Sequence, residues 1–418
     1  MFGRAFQLKT AVNDFLKKHE LNADHFDHEE LVSGFIREME KGLKDTSSLQ
    51  MEPSYIVSGD IRKGVPVCVA DLGGTFLRTA KAVVDDDGVF KLLSDVCKIP
   101  IPGRDCEIAG EAIFETIAGQ CAPFTEEGGM VAISFAFPAK TTPDLDAEIL
   151  YFDKEVKVTG ISGKKVGEML AEALAAKGKR PSSVTVINDS VATCLSGMAE
   201  HPDGHDSYIG TILGTGVNCC YFEDISNIVK VGSGSGRMLI NMEAGGYAGA
   251  PRNDIDYEFS RTLVHPDEHI IEQQVSGAYI GPLSSFTLNR AAAEGVIDIK
   301  GAIDVTSKDI DDLLRYGSGA AADMIEKDSL DDAASIAAAV VKRATVYATL
   351  QMCAAVTKTG SKTPCITIEG STYNKLCGFK DQMLSLMGAY FEKRGVTATY
   401  TDVENAVLKG CAISALMR

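Results

Sequence analysis

Two glycine-rich turns, far apart in the chain, share one design that suits the binding of phosphate groups. They are Ala-Asp-Leu-Gly-Gly-Thr at 70–75 and Ile-Leu-Gly-Thr-Gly-Val at 212–217. Glycine lets the backbone approach a ligand closely, so that successive amides and the Thr hydroxyl face phosphate oxygens. One copy alone is typical of an ordinary hairpin, whereas two copies predict two lobes that close on one phosphate chain. The residues predicted to face phosphate are Gly73, Gly74, Thr75, Gly214, Thr215 and Gly216.

A third glycine turn, Glu369-Gly370-Ser371, follows a predicted strand late in the chain. Alone it is typical of a β-turn before a helix. Together with the other two turns, it predicts that Gly370 and Ser371 form a third wall for a nucleotide. The first two turns are not Walker loops, because no Gly-Lys-Ser/Thr follows them, and neither leads into a helix as the dinucleotide fingerprint requires.

Asp189 lies between the two phosphate turns, in Asn-Asp-Ser at 188–190, after the predicted buried strand 184–188. It has two interpretations: the N-cap of a helix over 190–198, or a general base. Open α/β sheets place ligands at the ends of such strands, which favours the base. Other polar residues along this path are each, taken alone, typical of solvated or capping positions: Lys154, Asn218, Glu243 and Glu272.

Composition limits the partners of the chain. Its 418 residues include 41 basic and 58 acidic residues, a net charge of −17, which argues against nucleic acid or an anionic membrane as the main partner. Eleven cysteines occur without CxxC or CxxH spacing, which predicts a reducing compartment rather than disulfides or structural zinc. Charged residues among the first apolar ones predict no secretion signal, and no apolar run reaches the ~18 residues of a spanning helix. We expect a cytoplasmic protein.

The elements that must position these residues form two successive α/β series. The first is predicted to contain strands at 65–71, 76–84, 89–99, 129–135, 149–152 and 184–188, with helices at 108–119 and 165–177. The second is predicted to contain a strand from 207, strands at 217–222, 238–241 and 365–369, a mainly helical stretch at 254–360, and helices near 379–393 and 405–417. Apolar residues spaced by three and four before residue 40 predict amphipathic N-terminal helices. This order is typical of a mixed α/β protein.

Seven motifs in order, over about residues 62–415, resemble the hexokinase family within the superfamily of sugar kinases, actin and Hsp70-type ATPases. Segments 71–78 and 214–221 are similar to its two phosphate motifs, and 369–373 to its adenosine motif. Segment 134–138 with 148–154 resembles the sugar segment, and 188–193 the catalytic-base motif. Segments 241–245 and 265–279 resemble the two sugar-binding glutamate segments.

The resemblance implies an α/β, two-lobed ribonuclease H-like (actin-like ATPase) fold, each lobe a mixed β-sheet flanked by helices, with a cleft between the lobes. It implies N-terminal helices at 1–60 that pack on the large domain. A small α/β domain at 61–187 would include the C-terminal helix 404–418, and a large α/β domain would span 188–403.

The resemblance also implies transfer of the γ-phosphoryl group of Mg-ATP to the 6-hydroxyl of a hexose, with glucose among the substrates. Asp189 would be the general base, Asp71 would hold Mg²⁺ through water, and Arg78 and Lys154 would counter charge in the transition state. The sugar would contact Phe137, Pro138, Asp153, Lys154, Asn188, Asp189, Asn218, Glu243 and Glu272. The expected partners are the hexose and ATP, and the expected state is a monomer or homodimer. The alternatives are a hexokinase-like sugar-binding or regulatory protein with little turnover, and an actin-like filament ATPase.

Departures from the family pattern concentrate at the sugar segment. Ala136 stands where family members usually have Ser, and Phe152-Asp153 replaces Trp-Thr before Lys154. The chain has no Trp at all, and the second usual Trp position is Ala244. Phe76 replaces Asn in the first phosphate motif, and segment 405–408 lacks the usual Asp-Gly-Ser-Gly. We therefore expect an altered substrate preference.

Overall fold

The computed structural model describes residues 10–57, 59–152 and 156–417. In chain order the strands are β1 Glu52–Val57, β2 Val67–Leu72, β3 Phe76–Val84, β4 Phe90–Leu92, β5 Cys97–Pro100, β6 Ile108–Ala109, β7 Met130–Phe135, β8 Ala139–Thr141, β9 Ala147–Ile149, β10 Val158–Thr159, β11 Ser183–Ile187, β12 Ser207–Leu213, β13 Val217–Asp224, β14 Arg237–Asn241, β15 Pro364–Glu369 and β16 Thr399–Thr401. The α-helices are α1 Thr10–Lys18, α2 His28–Gly42, α3 Gly110–Cys121, α4 Val166–Ala176, α5 Asp189–Glu200, α6 Asp254–Ser260, α7 Glu272–Val275, α8 Ile280–Ala293, α9 Ser307–Tyr316, α10 Ala320–Asp323, α11 Leu330–Thr359, α12 Ser371–Lys375, α13 Phe379–Glu392 and α14 Ala406–Leu416.

The small lobe is built on a sheet in the order β11-β7-β2-β3-β4, with β5 also paired to β3. Its central strand β2 is buried along its whole length, which its run of Val, Ala, Cys and Leu allows. It pairs parallel with β7 and antiparallel with β3. Because β2, β7 and β11 run parallel, their carboxyl ends meet at one edge of the sheet. The first phosphate turn and Asp189 both follow strands that end at this edge.

The large lobe is built on a sheet in the order β1-β14-β13-β12-β15-β16. β12 and β15 are parallel neighbours although about 150 residues separate them, with Ile212 opposite Glu369. The N-terminal helices α1 and α2 share one apolar core with α11, including Phe15, Phe35 and Tyr347. The N-terminal helices therefore pack against α11, while the predicted division into domains stays a prediction.

Helix α11 is the longest helix among the described residues. The segment Lys327–Thr359 is long and apolar enough to cross a membrane, by length and composition. This differs from the prediction of no spanning helix, which considers only uninterrupted apolar runs. In the fold, however, 83% of its most apolar 18-residue stretch is buried. Its small side chains allow neighbouring helices to approach closely, so packing within the lobe accounts for its composition.

The predicted strand 89–99 is wrong as a single element, because it is divided into β4 and β5. Between them, Leu93 N donates a hydrogen bond to Lys81 O at 2.7 Å, and Ser94 Oγ accepts one from Lys81 N at 2.9 Å. The serine hydroxyl takes the place of a backbone carbonyl, so the ladder is interrupted there. β4 then pairs with the end of β3, and β5 with its beginning.

Other strands also differ from the prediction, including the short strands β6, β8, β10 and β16, which the sequence did not indicate. The predicted strand 149–152 is wrong after Ile149, where β9 ends and Leu150 N donates to Pro138 O at 3.0 Å. β1 was not predicted at all, because Pro53 and the left-handed Tyr55, with φ 57°, disturb the alternation that identifies a strand. The other predicted strands and helices begin and end within about two residues of their expected positions, the usual uncertainty of element boundaries.

Helices α5 and α14 cross at the junction of the two lobes, and Gly410 makes this crossing possible. A Cβ atom at residue 410 would lie 1.9 Å from the carbonyl oxygen of Ala192 in α5. Cys411 and Leu408 of α14 share an apolar cluster with strands of both sheets, including Val69 and Leu239. The crossing therefore joins the two lobes at their core.

We expect Gly410→Ala to destabilise the protein by at least about 2 kcal/mol, because the methyl group would displace the backbone of α5. The matched control is Gly388→Ala in α13, where a Cβ atom meets nothing within 4 Å. That variant should instead be stabilised by roughly 0.5–1 kcal/mol through its helix propensity. Chemical denaturation followed by circular dichroism measures both; equal effects at the two sites would contradict the close crossing.

Candidate active site

A single cleft between the lobes collects the residues that the sequence predicted. It encloses about 1260 Å³ of empty space, open solvent included. Asp153 and Lys154 lie outside the described residues, so their predicted roles stay predictions. All other predicted site residues line the cleft: Asp71, Gly73, Gly74, Thr75, Arg78, Phe137, Pro138, Asn188, Asp189, Gly214, Thr215, Gly216, Asn218, Glu243, Glu272, Gly370 and Ser371.

The first phosphate turn connects β2 to β3, and two of its carbonyl groups accept hydrogen bonds from neighbouring residues. Arg104 Nη1 donates to Gly74 O at 2.7 Å, and Ile101 N donates to Thr75 O at 3.1 Å. Neither partner lines the cleft. The carbonyls are therefore held on the side away from the cleft; Gly73 N donates to Phe76 O at 3.2 Å within the hairpin, so the amides of Gly74 and Thr75 are the ones that suit a ligand.

The second and third turns form one continuous wall in the large lobe, because they follow β12 and β15. Gly214 O accepts hydrogen bonds from Gly277 N and Thr372 Oγ1, both at 2.8 Å. Gly370 has φ +135°, and a Cβ atom there would lie 2.2 Å from Leu213 O. Only glycine allows the two turns to touch in this way.

Asp189 is the first residue of α5, directly after the end of β11. The helix N-cap is Asn188, whose Oδ1 accepts hydrogen bonds from Ser190 N at 2.8 Å and Ser190 Oγ at 2.7 Å. The N-cap interpretation of Asp189 is therefore wrong, and the helix begins one residue earlier than predicted. Since Asn188 supplies the cap, the Asp189 carboxylate faces the cleft without being needed to start the helix.

A hydrogen-bonded group of amides and carboxylates lies at the other end of the cleft. Asn218 Nδ2 donates to Asn188 Oδ1 at 3.3 Å and to Asn241 Oδ1 at 2.9 Å, and Asn241 Nδ2 donates to Glu243 Oε1 at 2.6 Å. Glu272 Oε2 accepts from the backbone N of Val217 at 2.8 Å. Glu243 is held at φ 52°, an uncommon conformation for a residue other than glycine. These contacts orient several donors and acceptors within the cleft, an arrangement that suits a ligand with many hydroxyl groups.

Arg78 lies between carboxylates of both lobes. Its Nε is 2.8 Å and its Nη2 2.7 Å from Asp71 Oδ2, because residues 71 and 78 are opposite one another on β2 and β3. Its Nη2 is also 3.4 Å from Glu369 Oε1 at the end of β15. Burial raises the pKa of Glu369 to about 7; Arg78 opposes this rise, whereas the charges of Asp71 and Asp189 add to it. Glu369 Oε2 is buried with no hydrogen-bond partner within the described part of the chain.

This cluster of carboxylates fits a magnesium ion that is bound through water. Asp71, Asp189 and Glu369 face the same cleft, and their mutual repulsion would be relieved by a divalent cation. No group of three or more His, Cys, Asp or Glu side chains that could ligate a metal directly occurs among residues 10–57, 59–152 and 156–417. Mg²⁺ typically keeps several waters and uses one or two carboxylates plus substrate phosphates, so the residues suit it.

Sequence reasoning missed several residues of the site. Lys98 and His269 line the cleft, and Asn241 orients the two side chains that flank it. Glu369 lay inside the predicted third turn but was given no role. His269 could have been found from its spacing, because it lies three residues before Glu272. Lys98 could not have been found from the sequence, because only the pairing of β3 with β5 places it beside Arg78.

Comparison with known proteins identifies the relatives of the chain. A family model described as Hexokinase matches residues 208–417, and a second model with the same description matches residues 11–199. The chain belongs to the hexokinase family. Human Hexokinase-2 is 30% identical over 285 residues, which is 64% of this chain and 31% of that protein, and mouse Hexokinase HKDC1 is 29% identical over the same shares. The matched region thus spans about a third of the length of these curated relatives.

Among hexokinases of known structure, the one from Schistosoma mansoni, solved with glucose, aligns with a TM-score of 0.86 at 21% identity, covering 97% of this chain and 98% of that one. A second structure named hexokinase aligns with a TM-score of 0.77 at 18% identity, covering 98% and 100%. At these identities the likeness bears on the fold, and it confirms the predicted two-lobed fold.

Glu369→Gln is expected to change the pH dependence of stability. Because the pKa of Glu369 rises from 4.5 to about 7 on folding, its proton favours the folded state at low pH, and this contribution is lost as the pH rises through 7. The variant should therefore gain stability relative to the wild type between about pH 5 and pH 8, by at most ~3 kcal/mol. Denaturation of both proteins across this range measures the difference, with exposed Glu107→Gln as control. A difference that is constant with pH would contradict the assignment.

Proposed function

We propose that the chain is an ATP- and Mg²⁺-dependent hexokinase, which transfers the γ-phosphoryl group of ATP to the 6-hydroxyl of a hexose, with glucose among its substrates. The observation that carries the proposal is the position of Asp189. Its carboxylate faces one cleft together with the glycine turns and with Glu243 and Glu272. A proton acceptor between a phosphate site and a hydroxyl-binding site is the arrangement that phosphoryl transfer to an alcohol requires.

Asp189 would accept the proton of the hydroxyl as its oxygen attacks phosphorus. Its position matters more than an altered basicity, since general bases act within about 2.6–3.2 Å of the proton they take. The start of α5 stabilises a negative side chain there, because the helix amides point toward it. The cap supplied by Asn188 and the hydrogen bond from Ser190 N to Asp189 Oδ1 at 2.8 Å fix the direction of the carboxylate.

The phosphate chain would be received by neutral groups. Thr75, Thr215 and the amides of the first two turns would bind it, and Gly370 and Ser371 would contact the nucleotide. Asp71 would hold Mg²⁺ through water, and when bound the ion would neutralise charge on the phosphates. Arg78, with Lys154 outside the described residues, would counter the charge that grows in the transition state.

The hexose would be held in the group formed by Asn188, Asn218, Glu243 and Glu272. Carboxylates accept several hydrogen bonds from hydroxyl groups, and the amides can donate or accept. Phe137 and Pro138 would give the apolar side of this site, where the rings of Phe137 and Phe152 pack 4.5 Å apart. The lobes would close on the sugar, since a site open to water would hydrolyse ATP instead.

A sugar-binding or regulatory protein with little turnover is the competing hypothesis, favoured by the altered residues at the sugar segment, Ala136 and Phe152. An actin-like filament ATPase has no use for the Glu243 and Glu272 group. Asp189 favours catalysis, because a protein that only binds sugar needs no proton acceptor beside the phosphate turns. A cytoplasmic location and a monomeric or dimeric state complete the proposal.

The direct test is a coupled ADP-release assay over a panel of hexoses. Wild type should release ADP faster with a hexose than with water alone, and Asp189→Ala should lower kcat by about 10²–10⁴-fold with KM for the hexose changed much less. Asp189→Asn, which keeps the shape but not the base, should lose as much. If no hexose stimulates ADP release, the kinase proposal fails, and binding of glucose in calorimetry would then favour the sugar-binding alternative.

Ala136→Ser tests whether residue 136 faces the sugar. Ala136 is 7% exposed and lines the cleft, so a hydroxyl there can gain one hydrogen bond, about 0.5–1.5 kcal/mol. We expect KM for glucose to change by the corresponding factor with kcat nearly constant. Steady-state kinetics measures this; an unchanged KM would show that the residue does not contact the sugar.

A further inference from the structure

The charge balance of the cleft is unfavourable for a polyphosphate. Among the described residues that line it, five are acidic and two are basic. The acidic residues are Asp71, Asp189, Glu243, Glu272 and Glu369, and the basic ones are Arg78 and Lys98. Since the whole chain carries a net charge of −17, long-range attraction does not bring an anion to the cleft. Local cations must therefore contribute.

Arg78 is largely compensated already. It forms ion pairs with Asp71 at 2.7 Å and with Glu369 at 3.4 Å, one carboxylate from each lobe. A phosphate that approaches Arg78 also approaches these two negative groups, which weakens the attraction. Lys98 is the other cation that the described lining provides.

Lys98 is paired with an aromatic ring and not with an acid. Its Nζ lies 3.8 Å from the centroid of the Phe76 ring. Phe76 directly follows the first phosphate turn and lines the cleft, and its side chain is 39% exposed. Within the described part of the chain, no carboxylate forms an ion pair with Lys98. An aromatic face holds an ammonium group in place without cancelling its charge.

Strand pairing sets the position of Lys98. β5 pairs with β3 so that Lys98 is opposite Arg78, and Phe76 opposite Pro100. Lys98 therefore lies on the small-lobe side of the cleft, near the turn 73–75. The Asn218, Glu243 and Glu272 group belongs to the large lobe, whereas Lys98 lies on the strand next to the first phosphate turn, which favours the phosphate chain over the hexose as its ligand.

We propose that Lys98 is a phosphate-binding residue for the polyphosphate chain of the nucleotide, and that the ring of Phe76 positions its ammonium group. The proposal rests on the proposed function, since it assigns a further residue to the same site. The proposal also explains why a partly exposed aromatic residue, Phe76, follows the first phosphate turn. Its ring face holds the Lys98 ammonium group beside the phosphate site.

Lys98→Gln is the first variant, and Lys91→Gln is its matched control. Lys91 is an exposed lysine of β4 that pairs with Asp85 and does not line the cleft, so both variants change the net charge equally. We expect Lys98→Gln to raise KM for Mg-ATP by about threefold to tenfold at low salt. The KM for the hexose should change less than twofold. Lys98→Arg, which keeps the charge and the ring contact, should restore most of the affinity.

Salt dependence separates binding of phosphate from a structural effect. The difference between wild type and Lys98→Gln should shrink as added salt rises from about 50 mM to 500 mM, because ions screen an exposed charge. Phe76→Leu keeps an apolar side chain but removes the aromatic face; it should raise KM for Mg-ATP in the same direction by a smaller factor. Equal thermal midpoints would establish that all variants are folded.

A binding measurement keeps this proposal distinct from the proposed function. Titration calorimetry with a non-hydrolysable ATP analogue and Mg²⁺, without sugar, needs no turnover. A weaker Kd for Lys98→Gln than for Lys91→Gln supports the role of Lys98 even if no hexose is phosphorylated. If the wild type does not bind the analogue, or if Lys98→Gln and Lys91→Gln bind it equally well at low salt, the proposal is overturned.

Discussion

The contact of helix α5 with both sheets is the constraint on which the site depends. Gly410 allows α14 to touch the backbone of α5 at Ala192, and Gly210 of β12 does the same from the other side, where a Cβ atom would lie 2.3 Å from Ser190 O. Neither neighbour can move closer without a shift of α5. Since α5 begins at Asp189, these contacts fix the carboxylate relative to the phosphate turns of both lobes.

Electrostatics explains why neutral groups predominate around the phosphate site. In a cleft with five acidic side chains and two basic ones, charge alone would not attract phosphates, so the proposed function needs backbone amides, hydroxyl groups, the Lys98 ammonium group and a divalent cation to supply the stabilisation. The raised pKa of Glu369 reports the same excess of negative charge, since the charges of Asp71 and Asp189 add to the effect of its burial. Arg78 pairs with Asp71 of the small lobe and with Glu369 of the large lobe, and thus connects the two lobes within the cleft.

The sequence was most informative where structure depends on neighbouring residues. The glycine turns and Asp189 line one cleft, because each follows a buried strand and, in each lobe, the carboxyl ends of the parallel strands lie at one edge of the sheet. Contacts between distant segments were not predictable in this way. The separation of β4 from β5 depends on Ser94 replacing a carbonyl acceptor, the N-cap of α5 depends on which of two adjacent side chains bends back, and the position of Lys98 depends on strand register.

At the proposed sugar site, the residues that stand at the usual Trp positions leave the hydrogen-bonded group around Asn218 in place. At one usual Trp position, Ala244 is buried, and its backbone N still donates to Asn218 Oδ1 at 3.2 Å. At the other, Phe152 packs against Phe137 with its ring 4.5 Å away, so the aromatic surface is reduced but kept. The polar group around Asn218 is held by backbone and amide contacts that do not require an indole ring. A hexose that differs only in bulk should therefore be rejected weakly, because apolar pockets discriminate weakly by size. A sugar that lacks a hydroxyl group should be rejected strongly, because it would leave buried polar groups of the site unpaired.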